Sequence, residues 1–215
     1  MGGTLNAAHR LALRAGPWRW VIAVGAVIAV LGVMGILRFA YKDELRLFNL
    51  DGERNVPTTF TALVWLVISV LALLVGRASE GRPAIAWKVL TALTLVLVAD
   101  ELAELHEHLQ FHAGIDWQIL YAPIGVVAVV LWFVLARYLR QLGVGFPPFV
   151  GAAACVCVAE VFEALEINSH GDPRRGFRVM VVSEELLEMT AGLLLGLSLL
   201  LALRALTSRT APAAA

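Results

Sequence analysis

The chain has 215 residues, of which 60% are hydrophobic and 16% are charged, and its mean hydropathy is +0.79. This composition is far more apolar than that of a soluble domain, so it indicates a protein that lies in a lipid bilayer. The 17 basic residues balance the 17 acidic ones. Without a basic surplus, the sequence gives no reason to expect nucleic acid as a partner.

Six apolar stretches, each with the roughly 20 residues that a membrane-spanning helix needs, follow one another along the chain. They begin near Pro17, Thr59, Ala84, Trp117, Pro148 and Val181. The sequence therefore predicts an all-α fold, a polytopic membrane bundle of six transmembrane helices. One domain is expected over residues 1–206, followed by a disordered tail over residues 207–215.

The basic residues predict the orientation of these spans. Alternate crossings place both termini and the loops after the second and fourth spans on one face, which carries ten of the 17 basic residues. The other face carries seven. By the positive-inside rule, the first face and both termini are expected to be cytoplasmic.

The longest outer loop, residues 38–58, joins the first two spans. Its Asp51-Gly52 pair is typical of a turn, and Asn55, Pro57 and Thr58 predict the start of a helix with proline in the first turn. The loop is expected either to cover the acidic residues described next or to rest among the lipid headgroups.

Acidic residues and histidines collect at the outer ends of the third, fifth and sixth spans. The third span ends in DELAELHEHLQFH, residues 100–112, where most of these side chains fall within an arc of about 140° at 100° per residue. The fifth and sixth spans contribute Glu160, Glu163, Glu184, Glu185 and Glu188. Because a charged side chain facing lipid costs roughly 2.5–3.5 kcal/mol at the helix centre, the three acidic faces are predicted to turn toward one another or toward a wet cavity.

Carboxylates this crowded cannot all stay ionised without compensation from protons, bound cations or the outer arginines Arg174, Arg175 and Arg178. Interleaved imidazoles favour one or two ions of a divalent transition metal, zinc, iron or manganese, because calcium and magnesium prefer shells of oxygen alone. The predicted metal ligands are Asp100, Glu101, Glu104, Glu107, His108, His112, Glu160, Glu163, Glu184, Glu185 and Glu188. The sequence contains no Glu-x-x-His, phosphate-loop or haem-attachment motif, so it indicates no nucleotide or haem and names no catalytic residue.

The favoured function is a membrane metalloenzyme that acts on a lipid or a periplasmic substrate, with the bilayer and the metal ion as partners. Two alternatives stay open: a structural membrane subunit whose carboxylates form a buried polar network, and a transporter of protons or cations. Against transport, the cytoplasmic halves of spans three, five and six offer few polar groups beyond Thr91, Thr94 and Ser198. An oligomer or a larger membrane complex is also left open.

Two further patterns concern packing. Gly192 and Gly196 lie in phase with Glu185 and are predicted to let a neighbouring backbone approach the sixth span closely. In the fourth span, Trp117 and Tyr121 are predicted to be anchors at the membrane interface.

Three segments together resemble a set of uncharacterised bacterial multi-pass inner-membrane proteins. They are FNLDGERNVPTTF before the second span, DELAELHEH in the third and EELLEMTAG in the sixth, and the resemblance extends over residues 39–200. It implies a location in the bacterial inner (plasma) membrane, and it names no reaction. It also implies that a set of polar residues matters: Asp100, Glu101, His106, Glu107, Glu184, Glu185 and Glu188.

Overall fold

The structure is a computed structural model, and it describes residues 16–41, 44–50, 52, 54–103, 105, 117–166 and 177–210. Six α-helices lie in these ranges: α1 (Pro17–Arg38), α2 (Val56–Ala78), α3 (Gly81–Ala103), α4 (Trp117–Leu142), α5 (Phe146–Glu166) and α6 (Phe177–Thr210). A single 3₁₀ turn, Arg46–Phe48, precedes α2. The described part of the chain contains no β-strand, which confirms the predicted all-α class.

Five of the helices are long and apolar enough to cross a membrane. These spans are Pro17–Arg38, Val56–Ala78, Tyr121–Leu142, Phe146–Leu165 and Arg178–Arg209, with mean hydropathies of 2.6, 2.4, 2.0, 1.7 and 2.1. The protein is therefore a multi-pass membrane protein. The remaining helix, α3, carries Arg82 and Lys88 near its start and Asp100 and Glu101 near its end.

The helix contacts form a ring with one helix outside it. Going round the ring, α6 packs against α2, α2 against α3, α3 against α4, α4 against α5, and α5 against α6. The outlying helix, α1, packs against α6. Among the described residues, α3 makes at most slight contact with α5 and α6, so the ring joins these three helices through α2 and α4.

The start of α2 confirms the predicted helix entry. Asn55 is the N-cap, because its Oδ1 accepts a hydrogen bond of 3.1 Å from the backbone N–H of Thr58, and Pro57 lies in the first turn. The Asn55 side chain also donates to the carbonyl oxygens of Asn49 and Gly52, and the Thr58 hydroxyl donates to Gly52 over 2.9 Å. These bonds fold the end of the loop onto its own helix.

The loop is also fastened to α1. Leu50 is only 4% exposed, and its side chain fills the space above Gly35, where a Cβ would overlap it. The 3₁₀ turn contacts both α1 and α2. The described part of this loop is therefore packed on the bundle.

Candidate functional site

Three glutamates lie within the first third of α6, where the helix is half-buried. Glu184, Glu185 and Glu188 are each half-buried, and so are all the residues from 183 to 188. Six consecutive helical residues point in every direction, so α6 has neighbours all round at this level. Each of the three residues takes part in at least one polar or electrostatic interaction. At this level of α6, therefore, neighbouring side chains partly cover the three glutamates.

The fifth helix brings a fourth carboxylate to the same level. Gly145 approaches Ser198 and Gly151 approaches Leu194, so α5 and α6 run antiparallel. Continuing this register places Glu160 and Glu163 at about the level of residues 185 and 182 of α6. Glu163 is half-buried and has a polar or electrostatic partner, whereas Glu160 is exposed. Of the two α5 residues, Glu163 is the one placed to join the α6 glutamates.

The third helix presents its acids to α4. Asp100 and Glu101 are half-buried, and Asp100 Oδ1 accepts a hydrogen bond of 3.0 Å from the hydroxyl of Tyr121. Sequence reasoning assigned Tyr121 to the membrane interface and missed this pairing. The signal that could have found it is topological, because consecutive elements of a chain usually lie side by side.

The other predicted ligands, Glu104, Glu107, His108 and His112, lie outside the described residues, as does His106. Within the described ranges, no group of three or more His, Cys, Asp or Glu side chains is arranged to hold a metal ion. What the structure brings together is therefore two partial sets. One set is the α6 glutamates with Glu163 at their level, and the other is Asp100 and Glu101 beside Tyr121.

The hydroxyl groups of the opposite half of the bundle are used in packing. Ser69 donates to Thr94 over 2.7 Å between α2 and α3, and Ser198 donates to the carbonyl oxygen of Gly145 over 2.8 Å. Thr91 bonds within its own helix to Trp87. The polar groups that sequence reasoning noted in this half are thus satisfied by protein atoms.

The predicted glycine contacts on α6 take a different form from the one expected. A Cβ on Gly192 would lie 2.8 Å from Cγ1 of Val64 in α2, and one on Gly196 would lie 2.6 Å from the indole ring of Trp20 in α1. The indole Nε1 donates a 3.0 Å hydrogen bond to the carbonyl oxygen of Leu193. The two glycines therefore admit side chains from two different helices, where a neighbouring backbone was predicted.

Comparison with known proteins places the chain in one family. No curated protein and no solved structure matches it. A family model described as "Domain of unknown function (DUF8692)" matches residues 21–203, which extend from the first turns of α1 into the last helix. The match covers most of the chain and confirms that the family is an uncharacterised one, and the protein therefore belongs to the DUF8692 family.

Proposed function

We propose that the protein crosses the bacterial inner membrane six times and that both termini lie in the cytoplasm. In this topology α3 crosses the membrane in addition to the five apolar helices. Support comes from the way α3 lies along α4. Trp87 meets Tyr138 edge to face, with ring centroids 6.3 Å apart, and Asp100 meets Tyr121 nearly four turns away. Since α3 meets α4 near both of its ends, it crosses where α4 crosses. Its 23 residues extend over about 35 Å, enough for a hydrocarbon core of about 30 Å.

Single-cysteine labelling tests this topology. In a background with Cys155 and Cys157 replaced by serine, we expect an impermeant thiol reagent added to intact cells to label Leu105→Cys, and to label Glu80→Cys after permeabilisation alone, because these positions flank α3. Both positions are exposed, so access to the reagent depends on the side of the membrane. Labelling of both cysteines in intact cells would contradict an odd number of crossings between them.

We further propose that the acidic ends of α3, α5 and α6 hold one or two divalent transition metal ions, zinc, iron or manganese, as the centre of a membrane enzyme. The observation that carries this proposal is the half-buried position of Glu184, Glu185 and Glu188 within one stretch of α6. Carboxylates so close together in a partly desolvated site need positive charge or protons to coexist. A metal shared between them meets that need.

Among the described residues, one of the other sources of positive charge is not paired with a glutamate. Arg178 was a candidate counter-ion, but its guanidinium lies over the ring of Phe39, with Cζ 5.1 Å from the centroid. No hydrogen bond or ion pair joins it to another described residue. The proposed shell combines Asp100, Glu101, Glu163 and the α6 glutamates with Glu160. Its other proposed ligands are Glu104, Glu107, His108 and His112, which lie outside the described residues.

The proposed substrate is a lipid or a periplasmic molecule, and the outer half of α4 supports lateral access from the bilayer. Residues 125–130 are all exposed, and six consecutive helical residues cover every direction around the axis. Contact between α4 and α5 is sparse. A metal bound at the acidic helix ends would lower the pKa of a coordinated water and polarise a substrate oxygen.

Elemental analysis of the full-length protein, purified without an affinity tag, tests the metal proposal. We expect a transition metal at near-integer stoichiometry, and loss of most of it in Glu188→Ala, because that change removes a half-buried carboxylate of the shell. The matched control is Glu80→Ala, which removes an exposed glutamate at the α2–α3 connection and should retain the metal.

Two results would contradict this proposal. Metal-free protein whose stability equals that of the wild type would favour a structural polar network. Ion flux in reconstituted vesicles that disappears in Glu188→Gln would favour a transporter. The hydrogen bonds of Thr91, Thr94 and Ser198 weigh against a conduit, because these hydroxyls already have protein partners.

A structural network is the second candidate, and one observation favours it. The Tyr121 hydroxyl donates to Asp100 over 3.0 Å, so at least one acid of the site is satisfied by a neighbouring helix without a metal. Such a bond would fix the outer ends of α3 and α4 against each other.

A further inference from the structure

A groove of about 450 Å³ runs along the outside of the bundle between α1 and α6. Its floor is formed where α1 has no side chain: a Cβ on Gly25 would lie 3.9 Å from Leu193, and one on Gly32 would lie 3.1 Å from Leu186. Thr190 also lines the groove, but its hydroxyl donates to the carbonyl oxygen of Leu186 over 2.6 Å. The lining is therefore suited to an apolar occupant.

The length and the surroundings of the groove indicate what that occupant is. On α1 the groove extends from Gly25 to Ile36, about 16 Å at 1.5 Å per residue. This is close to half of the roughly 30 Å hydrocarbon core, which is the depth that one acyl chain of one leaflet fills. The remaining faces of α1 are exposed and apolar, for example Ile22 at 70% and Val30 at 58%, so the groove opens toward lipid.

A cation lies at the end of the groove that is nearest to the headgroups. Phe39 follows Ile36 by three residues in helical backbone conformation, so it continues the same face of α1. Arg178 stacks over the Phe39 ring at 5.1 Å, a cation–π contact that holds the guanidinium at this position. Among the described residues none accepts a hydrogen bond from its N–H groups. A phosphate is the group that a guanidinium recognises with two parallel hydrogen bonds.

We propose that this groove binds a phospholipid, with one acyl chain lying along Gly25, Gly32 and Ile36 and the phosphate bound by Arg178. The apolar part and the charged part are independent features, and they are joined in the order that a phospholipid requires. The site lies outside the helix ring, so it does not depend on the metal proposed above. A transmembrane helix of another protein would fill the apolar part but would leave the cation without a partner.

Photocrosslinking in vesicles tests this site. Full-length protein is reconstituted with phosphatidylglycerol that carries a diazirine at the middle of one acyl chain, and the labelled peptides are mapped by mass spectrometry. We expect labelling of α1 and α6 on the groove side. Ala29→Phe, which places a ring in the groove, should remove most of it, and Arg178→Gln should lower it about tenfold through loss of a charge-assisted hydrogen bond.

Matched controls separate these effects from changes in folding or in the membrane. Ala23→Phe adds the same ring on the opposite, exposed face of α1, and Arg209→Gln removes an exposed arginine from the other end of α6; neither should change the labelling. Labelling that Ala29→Phe leaves unchanged would contradict binding of the acyl chain in the groove. Labelling that Arg178→Gln leaves unchanged would contradict the contact between Arg178 and the phosphate. Crosslinks from α1 to another polypeptide would assign the groove to a helix and overturn the proposal as well.

Discussion

Replacement of Gly145 by alanine is expected to destabilise the folded protein by roughly 2–5 kcal/mol. Gly145 lies in the turn between α4 and α5 with φ of +73°, where a Cβ costs about 1–2 kcal/mol. An added Cβ would also lie 2.8 Å from the backbone oxygen of Ser198, a fully buried residue of α6, and such overpacking costs about 1–3 kcal/mol. The 2.8 Å hydrogen bond from Ser198 to the Gly145 carbonyl would be strained too.

Gly143 supplies a control within the same turn. Its φ is +79°, but an added Cβ would meet nothing within 4 Å, so Gly143→Ala should show the backbone cost alone. Thermal unfolding in detergent, followed by circular dichroism, measures both variants. A midpoint lowered equally in the two would mean that the approach of the turn to Ser198 contributes little.

The second large effect is expected at Gly196 on α6. Its replacement by alanine would place a Cβ 2.6–2.7 Å from the indole ring of Trp20, and the ring cannot retreat without losing its hydrogen bond to Leu193. Overpacking of about 1–3 kcal/mol and the loss of a hydrogen bond of about 1 kcal/mol outweigh the gain of up to about 1 kcal/mol that alanine brings to a helix. The expected result is a less stable protein in which α1 is displaced from α6.

Gly125 on α4 provides the opposite case. It is helical and exposed, and nothing lies within 4 Å of its ideal Cβ, so Gly125→Ala should keep or slightly raise the unfolding midpoint. Trp20 fluorescence reports the Gly196 contact more directly, provided that the other tryptophans are replaced by phenylalanine. An emission maximum that Gly196→Ala leaves unchanged would contradict a displaced indole.

The helices and the cap of α2 could be predicted because their signals are local. Each apolar run specifies a helix by its length, and all six observed helices begin within a few residues of the predicted starts. Asn55 and Pro57 act on the backbone within one turn, so their neighbours in sequence suffice to identify them.

The order of the helices could not be predicted in the same way, because it depends on contacts between residues far apart in sequence. Helical phase predicted acidic faces on the third, fifth and sixth spans, but it did not specify that α3 packs between α2 and α4. The same limit applies to Gly196. The sequence showed that it lies on the same helix face as Glu185, but it did not show that Trp20 of α1 packs there. Tyr121 was assigned to the lipid interface because an aromatic residue at the end of a span also suits that role.

The position of α6 also bears on the order in which the protein assembles. In the described structure α6 is the only helix against which α1 packs extensively, and the hydrogen bond from Trp20 to Leu193 joins residues 173 apart. At 5–20 residues per second, a ribosome needs on the order of ten seconds to proceed from the end of α1 to the start of α6. During that interval α1 lies in the bilayer without its partner, and the synthesis of α6 supplies it.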